Sequence, residues 1–144
     1  MLGGVITSNH IRNQTKEFPT SLDAFRHLVK KLIDAGGERW IHFDGPEKEA
    51  WVEVANDSND YLELNFSFPF KENLQELFLK RQIVVPDDWK LINYKPQRLG
   101  GFFAGYACYS IHKNNADLLP LFIDDLFVKL YTCAKDYSMS GYLT

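Results

Sequence analysis

Tyr61-Leu62-Glu63-Leu64-Asn65-Phe66-Ser67-Phe68 places apolar residues at 62, 64, 66 and 68 and Tyr61, Glu63, Asn65 and Ser67 between them. Successive side chains of a β-strand point to opposite sides, so this stretch predicts a strand with one face for a core and one for solvent. Upstream, residues 39–44 and 49–55 carry weaker versions of the same pattern, and Gly45-Pro46 and the polar run 56–60 separate the three. Turn-forming residues between alternating runs read as hairpins, giving a three-stranded meander.

On the N-terminal side of the meander the period changes. Leu22, Phe25, Leu28, Val29, Leu32 and Ile33 recur at three- and four-residue steps, the spacing of a helix with one apolar face. Thr20 followed by Asp23 resembles a capping box, and Gly36-Gly37 supplies the positive φ that ends helices. Residues 1–18 show no period and read as a loosely ordered lead-in, with one domain over 19–144.

On the C-terminal side, Pro69 ends the third strand, and Leu74, Leu77, Phe78 and Arg81 predict a second helix over 71–82. Pro86-Asp87-Asp88 is a turn. Residues 89–95 and 102–112 read as two further strands joined by a loop that holds Pro96, Gly100 and Gly101. A last helix is expected over 117–135 from the stripe Leu119, Phe122, Ile123, Leu126, Phe127, Leu130, Tyr131 and Cys133. Pro120 falls in its first turn, and Asp125 stands four residues before Lys129. Residues 141–144 read as a final strand or a docked tail. The order α-βββ-α-ββ-α predicts an α+β, two-layer fold: a mainly antiparallel sheet with helices packed on one face.

Several function classes lose support. With 16 Lys and Arg against 19 Asp and Glu, and neither sign gathered into a stripe, no nucleic-acid partner is expected. No apolar run approaches the roughly 20 residues of a membrane-spanning helix, so no membrane partner is expected. Met1-Leu-Gly-Gly-Val-Ile-Thr-Ser8 lacks the basic and apolar regions of a signal peptide, which predicts a cytoplasmic protein. His10, His27, His42 and His112 stand at no metal-binding spacing, Cys108 and Cys133 read as inert core thiols, and no glycine pair opens a phosphate-cradling loop; no metal and no cofactor are expected. Cys108 and His112 share a strand face, but four strand residues span about 13 Å, too far for a nucleophile–base hydrogen bond. Glu53 and Glu63 would face each other if the second and third strands pair about residues 56–60, an arrangement open to acid–base work, yet both project from the polar side of the sheet.

That polar side carries the most informative constellation. The alternation puts Trp40, His42, Trp51 and Tyr61 on one face with Glu53, Glu63 and Asn65. Aromatics among acids are the make-up of a protein-binding surface, with Trp40, His42, Trp51, Glu53, Tyr61 and Glu63 as partner-contacting residues. Two alternatives stay open: a second small core beneath the lead-in, a helix or the tail, and a ligand pocket lined by Trp40, Trp51 and Tyr61.

The order of elements resembles the fold of type III secretion chaperones and related bacterial domains. The residues that carry it are the helix from Leu22 to Ile33, Trp51-Val-Glu-Val, Tyr61-Leu-Glu-Leu-Asn-Phe, and the helix from Leu118 to Cys133. The resemblance implies a non-enzymatic protein that binds an extended segment of a secreted effector and often forms a homodimer. The 18-residue lead-in and the mild acidity depart from that pattern. An immunity protein that neutralises a toxin by occluding it is the alternative, with a small enzyme or ligand-binding domain whose site has no motif as a further one.

Overall fold

The computed structural model describes residues 20–46, 49–99, 102–134, 137 and 140–143, so the expected lead-in over 1–18 lies outside them. Along the chain run α1 (Ser21–Ala35), β1 (Trp40–Asp44), β2 (Trp51–Asn56), β3 (Tyr61–Ser67), α2 (Leu74–Lys80), β4 (Lys90–Leu99), β5 (Phe102–His112), α3 (Leu119–Asp125) and β6 (Ser140–Leu143). The strands form one six-stranded sheet of order β4-β5-β3-β2-β1-β6, every neighbouring pair antiparallel. The helices pack on one side of it, the α+β arrangement expected from the order of elements.

Alternation decides which side. Ile41 and Phe43, Val52 and Val54, and Leu62, Leu64 and Phe66 are all fully buried, and they form the sheet's contribution to one continuous core. From above, α1 contributes Phe25, Leu28, Val29 and Leu32, and the chain after β5 contributes Leu119, Phe122, Ile123, Leu126 and Phe127. Rings dominate the contact: Phe25 meets Phe43 edge-on at 5.0 Å and stacks on Phe127 at 5.9 Å, and Phe122 meets Trp89 edge-on at 4.9 Å. Edge-on and offset pairs of this kind add about 0.5–1.5 kcal/mol each beyond the area they bury.

Helix ends follow the local chemistry. Thr20 Oγ1 accepts the Asp23 amide at 3.1 Å, and α1 ends where Gly36 (φ 63°) and Gly37 (φ 75°) take positive φ. Asn73 Oδ1 accepts the amides of Gln75 and Glu76, which starts α2 at Leu74, three residues after the expected 71. At the other end of α2 the Gln82 amide bonds the Leu79 carbonyl and the Ile83 amide the Phe78 carbonyl, a Schellman arrangement with Gln82 at φ 57° where glycine is usual. Arg81, at an apolar-stripe position in the sequence, donates from Nη1 to the carbonyls of Lys129 and Leu130 at 2.9 and 3.1 Å, satisfying carbonyls at the end of the last helical segment.

Two elements differ from expectation. Pro96 lies inside β4, opposite Gly105, rather than in a loop. β4 is an edge strand, where one side of the ladder is unpaired and proline is tolerated. A β-carbon on Gly105 would stand 2.6 Å from the Lys95 carbonyl oxygen and 3.1 Å from that of Phe68, so only glycine lets these backbones close. The second difference is the last helix, which is shorter than 117–135. After α3 it widens into a π-turn over Leu126–Leu130, Tyr131 N bonding back to Leu126 O at 2.9 Å, and ends where Thr132 takes φ 56°. The ending has a cause: Tyr131 must deliver its hydroxyl to the ends of β2 and β3, where it donates to the Ser67 carbonyl at 2.7 Å. Ser67, buried beside it, accepts the Trp51 amide at 3.2 Å and donates to the Glu49 carbonyl.

Candidate functional site

Strand register builds the face turned away from the helices. His42 pairs with Glu53, Glu53 with Asn65, Asn65 with Cys108 and Cys108 with Asn93, one straight row across five strands. A parallel row runs Asp44, Trp51, Ser67, Tyr106, Lys95, and on the other side runs Trp40, Ala55, Glu63, Ser110, Lys90. Tyr61 and His112 close the face, their rings meeting edge-on at 5.0 Å. Every residue expected on the polar face therefore shares it. Glu53 and Glu63 do not face each other, however: Glu53 opposes Asn65 and Glu63 opposes Ala55, which leaves the two carboxylates diagonal.

His42 organises the centre. Its Nε2 lies 3.0 Å from Asp44 Oδ1 and its Nδ1 3.3 Å from Glu53 Oε2, and its ring stacks on Trp51 at 5.9 Å and 20°. Burial alone would lower the imidazole's pKa, but the hydrogen bonds and charges of Glu53 and Asp44 outweigh it and hold His42 above its ordinary value. The protonated ring donates to both carboxylates. In the neutral ring one nitrogen turns its lone pair toward an anion, so the arrangement suits the imidazolium.

Around this centre lies a shallow recess of about 340 Å³ lined by His42, Trp51, Glu53, Asn65 and Tyr106. Asn93 Nδ2 donates to the Tyr106 hydroxyl at 3.1 Å, which fixes that ring at the rim. Glu63 stands above its ordinary carboxylate pKa through burial and the neighbouring Asp57. Trp40 and Tyr61 are 40% and 43% exposed, large rings left in solvent on an otherwise polar face. Charge is zoned: Asp44, Glu53 and Glu63 lie on the meander, and the exposed Lys90 and Lys95 on β4.

The other chemistry-bearing residues have structural tasks. Cys108 is buried, and burial, with Glu63 and Asp57 adding, pushes its thiol up to about 12, so it keeps its proton at neutral pH. His112 Nδ1 accepts the Asn114 amide at 3.1 Å and caps the 3₁₀ turn Lys113–Asn115. Asp124 accepts the Tyr137 hydroxyl at 3.1 Å. Among the described residues no group of His, Cys, Asp and Glu is arranged to hold a metal ion, and no helix is long and apolar enough to cross a membrane. His10 lies outside the described residues.

Sequence reading missed two residues at the centre of the face, Asp44 and Tyr106. Asp44 is one of 19 Asp and Glu residues in the chain, and its place two residues after His42 on one strand is the signal that marks it. Tyr106 needed the β3–β5 register, which the intervening α2 hides. Comparison of the chain with protein-family models, with curated proteins and with solved structures found no match.

Proposed function

We propose that this chain is a non-enzymatic protein-binding module whose open sheet face meets the partner through Trp40, His42, Trp51, Glu53, Tyr61 and Glu63. The observation that carries the reading is the face itself, with exposed aromatic rings set among carboxylates opposite a fully helix-covered side. Interfaces draw their energy from buried aromatics and their register from charge, and this face offers both. Pairing along a sheet edge is the competing mode, and both edges oppose it: β4 is broken by an irregularity at Ile92 and by Pro96, and β6 has four residues.

The partner is a secreted effector in the chaperone-like role that the order of elements resembles. Occlusion of a toxin, as by an immunity protein, is the second reading, favoured by the acidity of the meander side, which suits a basic active-site cleft. A cytoplasmic setting goes with both. Affinity purification with the wild type and with a Trp51→Ala, Glu53→Ala double variant tests the face. Mass spectrometry names the captured protein, and calorimetry with that protein purified measures the loss. Binding should weaken by about 100-fold or more, on the order of 3 kcal/mol for a central aromatic and a charged neighbour. Equal affinity of both folded proteins for the same partner refutes the assignment.

A further inference from the structure

The helical side carries a second apolar surface. Val84 is 80% exposed, Leu118 55% and Leu121 47%, and the three line one groove of about 220 Å³ together with Pro86, Phe122 and Asp125. Local geometry explains why these side chains are outside. The Schellman turn at Gln82 sends Ile83 into the core and leaves Val84 outward. In α3 the residues Leu119, Phe122 and Ile123 take the core positions, so Leu118, Leu121 and Asp125 form a separate stripe on the outer side. Scattered exposed leucines are ordinary, but convergence of three large aliphatics on one recess marks a contact site.

Charge decides what fits it. Asp125 lines the groove, and the exposed Asp87 and Asp88 follow Pro86 directly. Asp125 is paired with Lys129, whose amine lies 3.6 Å from its Oδ2 and donates to the Gln82 carbonyl at 3.0 Å, so the uncompensated negative charge beside the groove is that of Asp87 and Asp88. A second copy of this chain docking by a two-fold axis through the groove would bring Asp87 and Asp88 near the same residues of its partner, a like-charge arrangement that opposes pairing. A segment with the reverse character meets no such penalty. We propose that this groove docks a basic amphipathic segment of a partner protein, which seats large apolar side chains among Val84, Leu118 and Leu121 and sets lysines or arginines against Asp87 and Asp88. The site lies on the helical layer, away from the open sheet face, and does not depend on the role given to that face.

A random twelve-residue peptide library displayed on phage, selected on the full chain, tests it. Clones are re-screened on a Val84→Ser, Leu121→Ser double variant and on the Trp51→Ala, Glu53→Ala variant. The expected result is a class of peptides that loses at least tenfold in affinity on the first variant and keeps it on the second. These peptides should be rich in Lys and Arg, contain Leu, Ile or Phe, and bind several-fold more weakly as salt rises from about 50 to 300 mM. Both serines replace exposed side chains, and circular dichroism verifies the fold. An Asp87→Lys, Asp88→Lys variant, which leaves the apolar groove intact, should weaken the same peptides. The absence of any groove-sensitive peptide, or groove-sensitive peptides without basic residues, overturns the proposal. So does sedimentation showing a dimer of the full chain that the double serine variant abolishes, since the groove would then belong to a second copy.

Discussion

Phe43 and His42 are adjacent on β1, and the two faces of the sheet they belong to are built for different tasks. On the covered face the side chains from β1 to β3 are aliphatic or phenyl except Asn56 at the end of β2, whose Nδ2 donates to the Leu32 carbonyl at 3.1 Å. The strand cores are fully buried, and the contacts are those of a close-packed interior. On the open face a histidine is held between two carboxylates, large rings stand in solvent, and charge is sorted by strand. One backbone with a period of two serves both, so the core and the proposed recognition surface lie on residues of opposite parity. A substitution on one face should leave the property of the other nearly untouched.

The largest expected effect lies in the core. Phe43→Ala removes a fully buried ring that meets Phe25 edge-on, and should cost about 3–5 kcal/mol in a urea titration. A cost under about 1 kcal/mol would mean that the covered face is not the stabilising one.

Next comes the clasp between the layers. Tyr131→Phe keeps the ring but takes away the donor to the Ser67 carbonyl, and should cost about 1–3 kcal/mol because that carbonyl sits in a buried setting. An unchanged midpoint would show that packing alone holds the last helix over the strand ends.

The smallest effect belongs to the open face and depends on pH. The folded-state pKa of His42 is raised above its ordinary 6.5, so its pairing contributes fully below that value and fades as pH rises through the folded pKa. The stability difference between wild type and His42→Gln should therefore be larger at about pH 6 than at about pH 8.5. A difference that is flat, or grows toward alkaline pH, would remove the imidazolium from the centre of the face.

The parts of this comparison that were legible in the sequence are those governed by local period. The parity of residues 61–68 assigned each side chain to its face, and the Leu22 to Ile33 spacing gave α1 within a residue or two. What escaped was set by neighbours in space. Pro96 reads as a strand breaker until β4 is known to be an edge. Tyr131 reads as one more stripe residue until Ser67 and Trp51 come to meet its hydroxyl, and Arg81 occupies an apolar position because the carbonyls of Lys129 and Leu130 lie beside it. The row from His42 to Cys108 needed a β3–β5 register that no hairpin loop specifies, so the recess with Tyr106 was beyond reach while the aromatic and acidic make-up of the meander was not.

The pairing of β6 with β1 also governs how the chain reaches this structure. Ile41 bonds in register with Leu143, and Asp44 with Ser140, contacts between residues about a hundred positions apart. Such pairings carry a high loop-closure entropy and form late. During synthesis the edge of Trp40–Asp44 that β6 covers has only water to bond its amides and carbonyls until residues 140–143 have been made. That nascent interval, rather than the finished fold, is when this sheet is most exposed to mispairing with another chain.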